Sequence, residues 1–166
     1  MPDAVTNHRL LGRGVLLGFA LLAVMALASC GFGQDQITGR VGETLTAGDY
    51  QLLVSSVENP AERPDRFTNP QIGYRFVKVT GTVTNRGQQY LPLAASHFTL
   101  KDSGDIDNPA KPGVPSDTGL KATSLSPGQK MDVQLYFEMA SNLSPAELVF
   151  TPQVVGWRTR IVVDLR

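Results

Sequence analysis

The sequence predicts an all-β protein, an antiparallel sandwich of seven or eight strands, and three observations carry that expectation. Residues 74–85, Y-R-F-V-K-V-T-G-T-V-T-N, sort by a period of two, with Val77, Val79, Gly81 and Val83 on one face and Lys78, Thr80, Thr82 and Thr84 on the other. Residues 129–139 repeat the pattern, setting Met131, Val133, Leu135, Phe137 and Met139 against Asp132, Gln134, Tyr136 and Glu138. Sixteen glycines and eleven prolines stand between apolar runs as punctuation, and no run has a convincing helical period. A two-layer sandwich fits such strands; an eight-stranded barrel fits the same patterning and stays open.

At the N-terminus, residues 1–14 carry Arg9 and Arg13, and residues 15–28 contain nothing charged or strongly polar. These are the n-region and h-region of a secretory signal, whose helix is the one helical element expected. At ~1.5 Å per residue the apolar run spans about 21 Å, short of the ~30 Å hydrocarbon core. The next residues, L-A-S-C-G at 27–31, resemble the bacterial lipobox. That resemblance implies a diacylglyceryl group on the thiol of Cys30, cleavage before it, and a new amino group open to acylation. Two other readings compete: a cysteine that merely ends a signal cut elsewhere, and an uncleaved anchor extended over residues 14–33. In both membrane readings, Arg9 and Arg13 hold the N-terminal end inside and place the rest outside the cytoplasm. The expected division is a signal peptide at 1–29, a linker at 30–40 that keeps the domain close to the membrane, and a domain at 41–166.

Within the domain, residues 41–45 read as a short edge strand, and Ala47-Gly48-Asp49 as a turn into residues 50–57, where Tyr50, Leu52 and Val54 alternate with polar neighbours. Asn85-Arg86-Gly87 closes the central strand, because Asn and Gly tolerate the positive φ of a tight reversal. Short strands follow at 90–93 and 98–100, Ser126-Pro127-Gly128 launches 129–139, and strands at 148–150 and 160–165 complete the set, with Ile161, Val163 and Leu165 inward. Roughly 125 mature residues bury about two-thirds of their unfolded surface, so a core forms without disulfides.

Four segments in succession, at 41–57, 76–87 (F-V-K-V-T-G-T-V-T-N-R-G), 98–104 (F-T-L-K-D-S-G) and 125–137 (L-S-P-G-Q-K-M-D-V-Q-L-Y-F), resemble the DUF4352 or telokin-like family and are similar to MPT63-type mycobacterial antigens. The resemblance implies an immunoglobulin-like β-sandwich of a kind frequent on bacterial lipoproteins and secreted proteins. It implies no catalytic residues, since the family shares none.

The residues themselves offer little chemistry. Fifteen basic and fifteen acidic residues cancel, leaving no footprint for nucleic acid. The mature chain has one histidine, His97, which reads as a capping or surface residue because no nucleophile and orienter accompany it. No His/Cys/carboxylate spacing suits zinc. Asp102, Asp105 and Asp107 cluster oxygen donors in one loop, a weak calcium candidate set against a plain hairpin turn. Two long proline-bearing connections, 59–73 and 103–119, are either functional or solvated insertions. In the first, Arg63, Arg66 and Phe67 form an apolar anchor flanked by guanidinium groups. Trp157 reads as a core or sheet-end residue. The expectation is a non-catalytic module without cofactors, held to the membrane by diacylglyceryl-Cys30 on the extracytoplasmic side of the cell membrane, and binding an unknown envelope protein or ligand. The alternatives are a calcium-binding or enzymatic module built on loop carboxylates, and a spacer that binds nothing.

Overall fold

Strand pairing in the computed structural model, which describes residues 35–117, 119–152 and 159–166, sorts eleven strands into two facing sheets and a short ribbon. The first sheet runs β1 (Gln36–Arg40), β11 (Arg160–Asp164), β10 (Pro145–Phe150), β6 (Phe98–Asp102), β7 (Asp107–Pro109). The second runs β2 (Thr44–Ala47), β3 (Tyr50–Glu58), β4 (Tyr74–Asn85), β9 (Lys130–Ala140), and β5 (Leu91–Leu93) pairs with β8 (Thr123–Leu125) as the ribbon. The expected all-β immunoglobulin-like sandwich is therefore present, and strands sorted into two separate sheets rule out the closed barrel. The strand count exceeds the expected seven or eight by β1, which has a single apolar side chain, and by β7 and β8, which are only three residues each and too short to show a period. Signal peptide, Cys30 and Trp157 lie outside the described residues.

The alternation read from the sequence decides what is buried. Val77, Val79 and Val83 of β4 and Val133, Leu135, Phe137 and Met139 of β9 are nearly inaccessible, as are Tyr50, Leu52 and Val54 of β3. From the other sheet come Phe98, Leu100, Leu148, Phe150, Ile161 and Val163. Phe150 is the hub, 4.7 Å from the Phe98 ring and edge-on to Tyr50 at 5.3 Å between centroids. The Tyr50 hydroxyl donates to the carbonyl of Pro92 at 2.6 Å, and burial, helped by nearby Asp49, pushes its pKa up to about 12. Gly81 faces inward where β3 and β4 press together at an irregularity of register, and a Cβ there would strike the Leu53 carbonyl.

The expected linker at 30–40 needs correction. Gln36–Arg40 is a strand running parallel to β11 in register, Gln36 against Arg160 through Arg40 against Asp164. With one apolar side chain, Ile37, it carries no hydrophobic signal; its stability comes from backbone pairing and from Arg160, whose guanidinium donates twice to the Gln36 amide oxygen. The expected edge strand at 41–45 becomes a turn, 41–43, followed by β2.

Strand direction gives the sandwich two unlike ends. One carries Asp35 and the turns at 48–49, 86–90 and 126–129, joined by bonds from Arg86 N to Asp49 O and Gly128 N to Asn85 O. The other carries the turn at 41–43, the connection 59–73, the turn at 103–106 and the turn at 141–144, joined by Ser103 N to Ser144 O and Ser141 N to Gly73 O. The twelve residues of β4 connect the two ends, nearly 40 Å apart at ~3.3 Å per residue.

Candidate functional site

Parity puts Phe76 of β4 and Tyr136 of β9 on the outer face of the second sheet, yet they are 2% and 7% exposed. Their rings meet edge to face at 6.3 Å, outside the main core. Two aromatics on a wet face need a cover, and the two long connections supply it. Ala61 N donates to the Phe76 carbonyl at 2.8 Å, and Lys111 N to the Tyr136 carbonyl at 2.8 Å. Burial raises the Tyr136 pKa, partly opposed by the Lys78 ammonium, which pairs with Glu58 at 2.5 Å.

Glu138, two residues further along the same face, fastens both connections. One carboxylate oxygen accepts from Gln71 N at 2.6 Å; the other pairs with the Lys111 ammonium at 2.5 Å. Burial pushes the Glu138 carboxyl up, but the Lys111 ammonium and the Gln71 N–H outweigh it and hold it below the usual range. Connections that are separate in sequence thus become one platform, with a shallow cleft between them lined by Gln71, Tyr74, Pro109, Lys111 and Glu138.

The first connection is also organised internally. Asp65 accepts from Phe67 N at 2.8 Å and Thr68 N at 2.7 Å, an Asx turn whose donors, Phe67 first, hold its carboxyl low. Arg63 donates to the Asn69 amide oxygen at 2.8 Å. Tyr74 N closes a turn onto Gln71 O. The turn carries Phe67 outward, 78% exposed, with the Arg66 guanidinium 4.6 Å over its ring. Ile72 is fully exposed and Tyr74 is 42% exposed. Of the residues expected to bind, Arg66 and Phe67 come together at the surface, whereas the Arg63 guanidinium is engaged within the loop. Glu138, Lys111, Gln71, Ile72 and Tyr74 were not foreseen. Phe76 and Tyr136 at outward positions of paired strands were the available signal.

Asp102, Asp105 and Asp107 do not converge as a calcium site would require. Asp102 is 3% exposed and points inward; Oδ1 accepts from Gly104 N and Ile106 N, and Oδ2 from the Asn108 amide. Asp105 and Asp107 instead flank the Lys101 ammonium at 2.6 and 3.3 Å. Among the described residues, no three His, Cys, Asp or Glu side chains are placed to hold a metal ion. The connection expected at 103–119 is not structureless either, because Asp107–Pro109 pairs with β6.

His97 is not a surface residue. It ends a short 3₁₀ turn, Ala95–His97, and is 6% exposed beside Phe150, with burial lowering its pKa. Its carbonyl accepts from Thr151 N at 2.8 Å, and Nδ1 has no hydrogen-bond partner among the described residues. No nucleophile or orienting carboxylate is bonded to it there.

Among solved structures, the chain is similar to yjhA from Bacillus subtilis (17% identity, TM-score 0.59, covering 78% of this chain and 100% of that one). It is also similar to the secreted protein MPT63 from Mycobacterium tuberculosis (18%, 0.59, covering 78% and 97%). A third likeness is to ycdA from Bacillus subtilis subsp. subtilis str. 168, described as a candidate lipoprotein (20%, 0.58, covering 73% of this chain and 38% of that one). Identities this low speak to the fold alone. No curated protein matches the sequence. No helix among the described residues is long and apolar enough to cross a membrane. The family model for DUF4352, a domain of unknown function, matches residues 39–160, so the chain belongs to the DUF4352 family.

Proposed function

We propose that the protein is a lipoprotein tethered through Cys30 outside the cytoplasm, and that its sandwich is a non-catalytic module that binds a partner in the cell envelope through the platform of connections 59–73 and 103–119. One observation carries the binding half. Phe67 and Ile72 are held outward by a loop that is itself tied down, by Glu138 to Gln71, by Asp65 across its turn and by Ala61 to β4. An anchor that is ordered before binding loses less entropy when it binds, and exposed aromatic residues with arginine are the side chains that carry interface energy. The lipobox-like sequence at 27–31, together with the uncharged run before it, supports the tether half.

The test uses the domain from Gly33 onward as bait, so that β1 is kept, against extracts of the cell envelope. Under this reading, Phe67→Ala with Ile72→Ser abolishes capture of a partner that the unaltered domain retains, while urea unfolding is unchanged. Capture of nothing by either bait would instead favour a spacer, and identical capture by both would move the binding surface away from Phe67 and Ile72.

A further inference from the structure

Two exposed patches combine an aromatic residue with cations, and they lie at opposite ends of the sandwich. One is Phe67 with Arg66. The other is the turn end that carries Tyr90, 70% exposed, on the β4–β5 connection, whose first residue, Arg86, lines a shallow groove with the exposed Lys130 that opens β9. The second patch is at the end where the chain joins β1. Gln36 pairs with Arg160, and β10 brings Phe150 to Ile161 there; the Phe150 ring then meets Tyr50, which pairs with Asn85, while Thr84 pairs with Lys130.

Resting on the tether reading, we propose that this end of the sandwich docks on the lipid surface, with Tyr90 at the headgroups and Arg86 and Lys130 against anionic lipid phosphates, so that the 59–73 platform is presented away from the membrane. Length decides between the two patches. Gly31 to Asp35, five residues, separate Cys30 from β1, a reach of about 20 Å when fully extended. The connection that carries Phe67 leaves β3 after Glu58 and rejoins β4 at Tyr74, at the opposite end of the sandwich, a strand length of nearly 40 Å from the end where the spacer attaches. Tyr90 is within reach, and an amphipathic ring is suited to the headgroup level. Arg86 and Lys130 contribute the charge that an anionic leaflet attracts, about fivefold in docked population for each cation close to the surface. The end is not uniformly basic: Asp35 and Asp49 are also there, and the Asp49 carboxylate lies against Gly87.

The lipidated full-length protein, reconstituted in vesicles of phosphatidylcholine with phosphatidylglycerol, provides the test. A single cysteine introduced as Tyr90→Cys or as Phe67→Cys takes an environment-sensitive fluorophore, because the thiol of Cys30 is blocked by its lipid. Headgroup-level quencher lipids should quench the probe at position 90 and leave the probe at position 67 at its value in water. Arg86→Glu with Lys130→Glu should cut the quenching at position 90, as should 1 M salt, which shortens the screening length to about 3 Å. Equal quenching at both positions, or stronger quenching at position 67, overturns the proposal. Failure of the tether reading looks different: the protein would leave the vesicles altogether and Cys30 would itself take the label.

Discussion

Replacing Glu138 with alanine should release the platform without unfolding the sandwich. The carboxylate accepts from Gln71 N at 2.6 Å, a charge-assisted bond worth roughly 1.5–3 kcal/mol. Its pair with Lys111 adds less than about 1 kcal/mol, because the lysine side chain is 39% exposed and screened. A loss of about 2 kcal/mol multiplies the opening equilibrium roughly thirtyfold, and opening is local because Ala61 and Lys111 keep their backbone bonds to β4 and β9. Native-state hydrogen exchange read by mass spectrometry should show the protected amides between 64 and 73 exchanging about thirty times faster, with the amides of Ala61 and Lys111 and the β3–β4–β9 ladder unchanged. Lys111→Ala should give no more than about a fivefold change, since it removes only the ion pair. The carboxyl is held below its unfolded value of about 4.3, so its contribution is fully present above that pH and fades as pH falls through the lower folded value. Exchange of the loops in the unaltered protein should accelerate in that acid window, and in the alanine variant the acceleration should shrink to what the Asp65 turn contributes. Unchanged exchange in Glu138→Ala, or equal acceleration across the whole second sheet, would refute the clamp.

Other expectations follow from the same packing. Asp102→Ala removes a buried acceptor of three donors and should cost about 2–4 kcal/mol by urea unfolding, while added calcium should leave the melting temperature of the unaltered protein where it is. Gly81→Val should cost about 3 kcal/mol or more, because its side chain meets the Leu53 carbonyl and not a movable side chain. His97 has a folded pKa below its unfolded value of about 6.5, so stability should fall as pH drops from about 6.5 toward the folded value. His97→Leu should flatten the urea midpoint between pH 7 and 5.

The strands that could be read from the sequence are those whose burial follows their alternation. In β4 and β9 every second residue meets the core, so the apolar pattern is the structure written out along the chain. β1 was hidden because Q-I-T-G-R contributes backbone bonds more than side-chain burial, and its partner lies at the far end of the chain. β7 was hidden because D-N-P reads as turn, and in fact Asn108 faces inward to bond Asp102. The candidate site was only half visible. Phe67 and Arg66 are conspicuous in any proline-rich loop, but the clamp depends on register: it needs Phe76 opposite Glu138, and Tyr136 two residues before it. His97 was misjudged because its neighbours in A-A-S-H-F say nothing about Phe150, which arrives from β10.

The tether is the claim on which both orientation and display depend. Intact-mass measurement of the full-length protein, purified from the membrane fraction of a lipoprotein-processing bacterium, tests it most directly. The account predicts a chain that begins at Cys30 and carries the added mass of a diacylglyceryl group; a retained leader with a free thiol would contradict it.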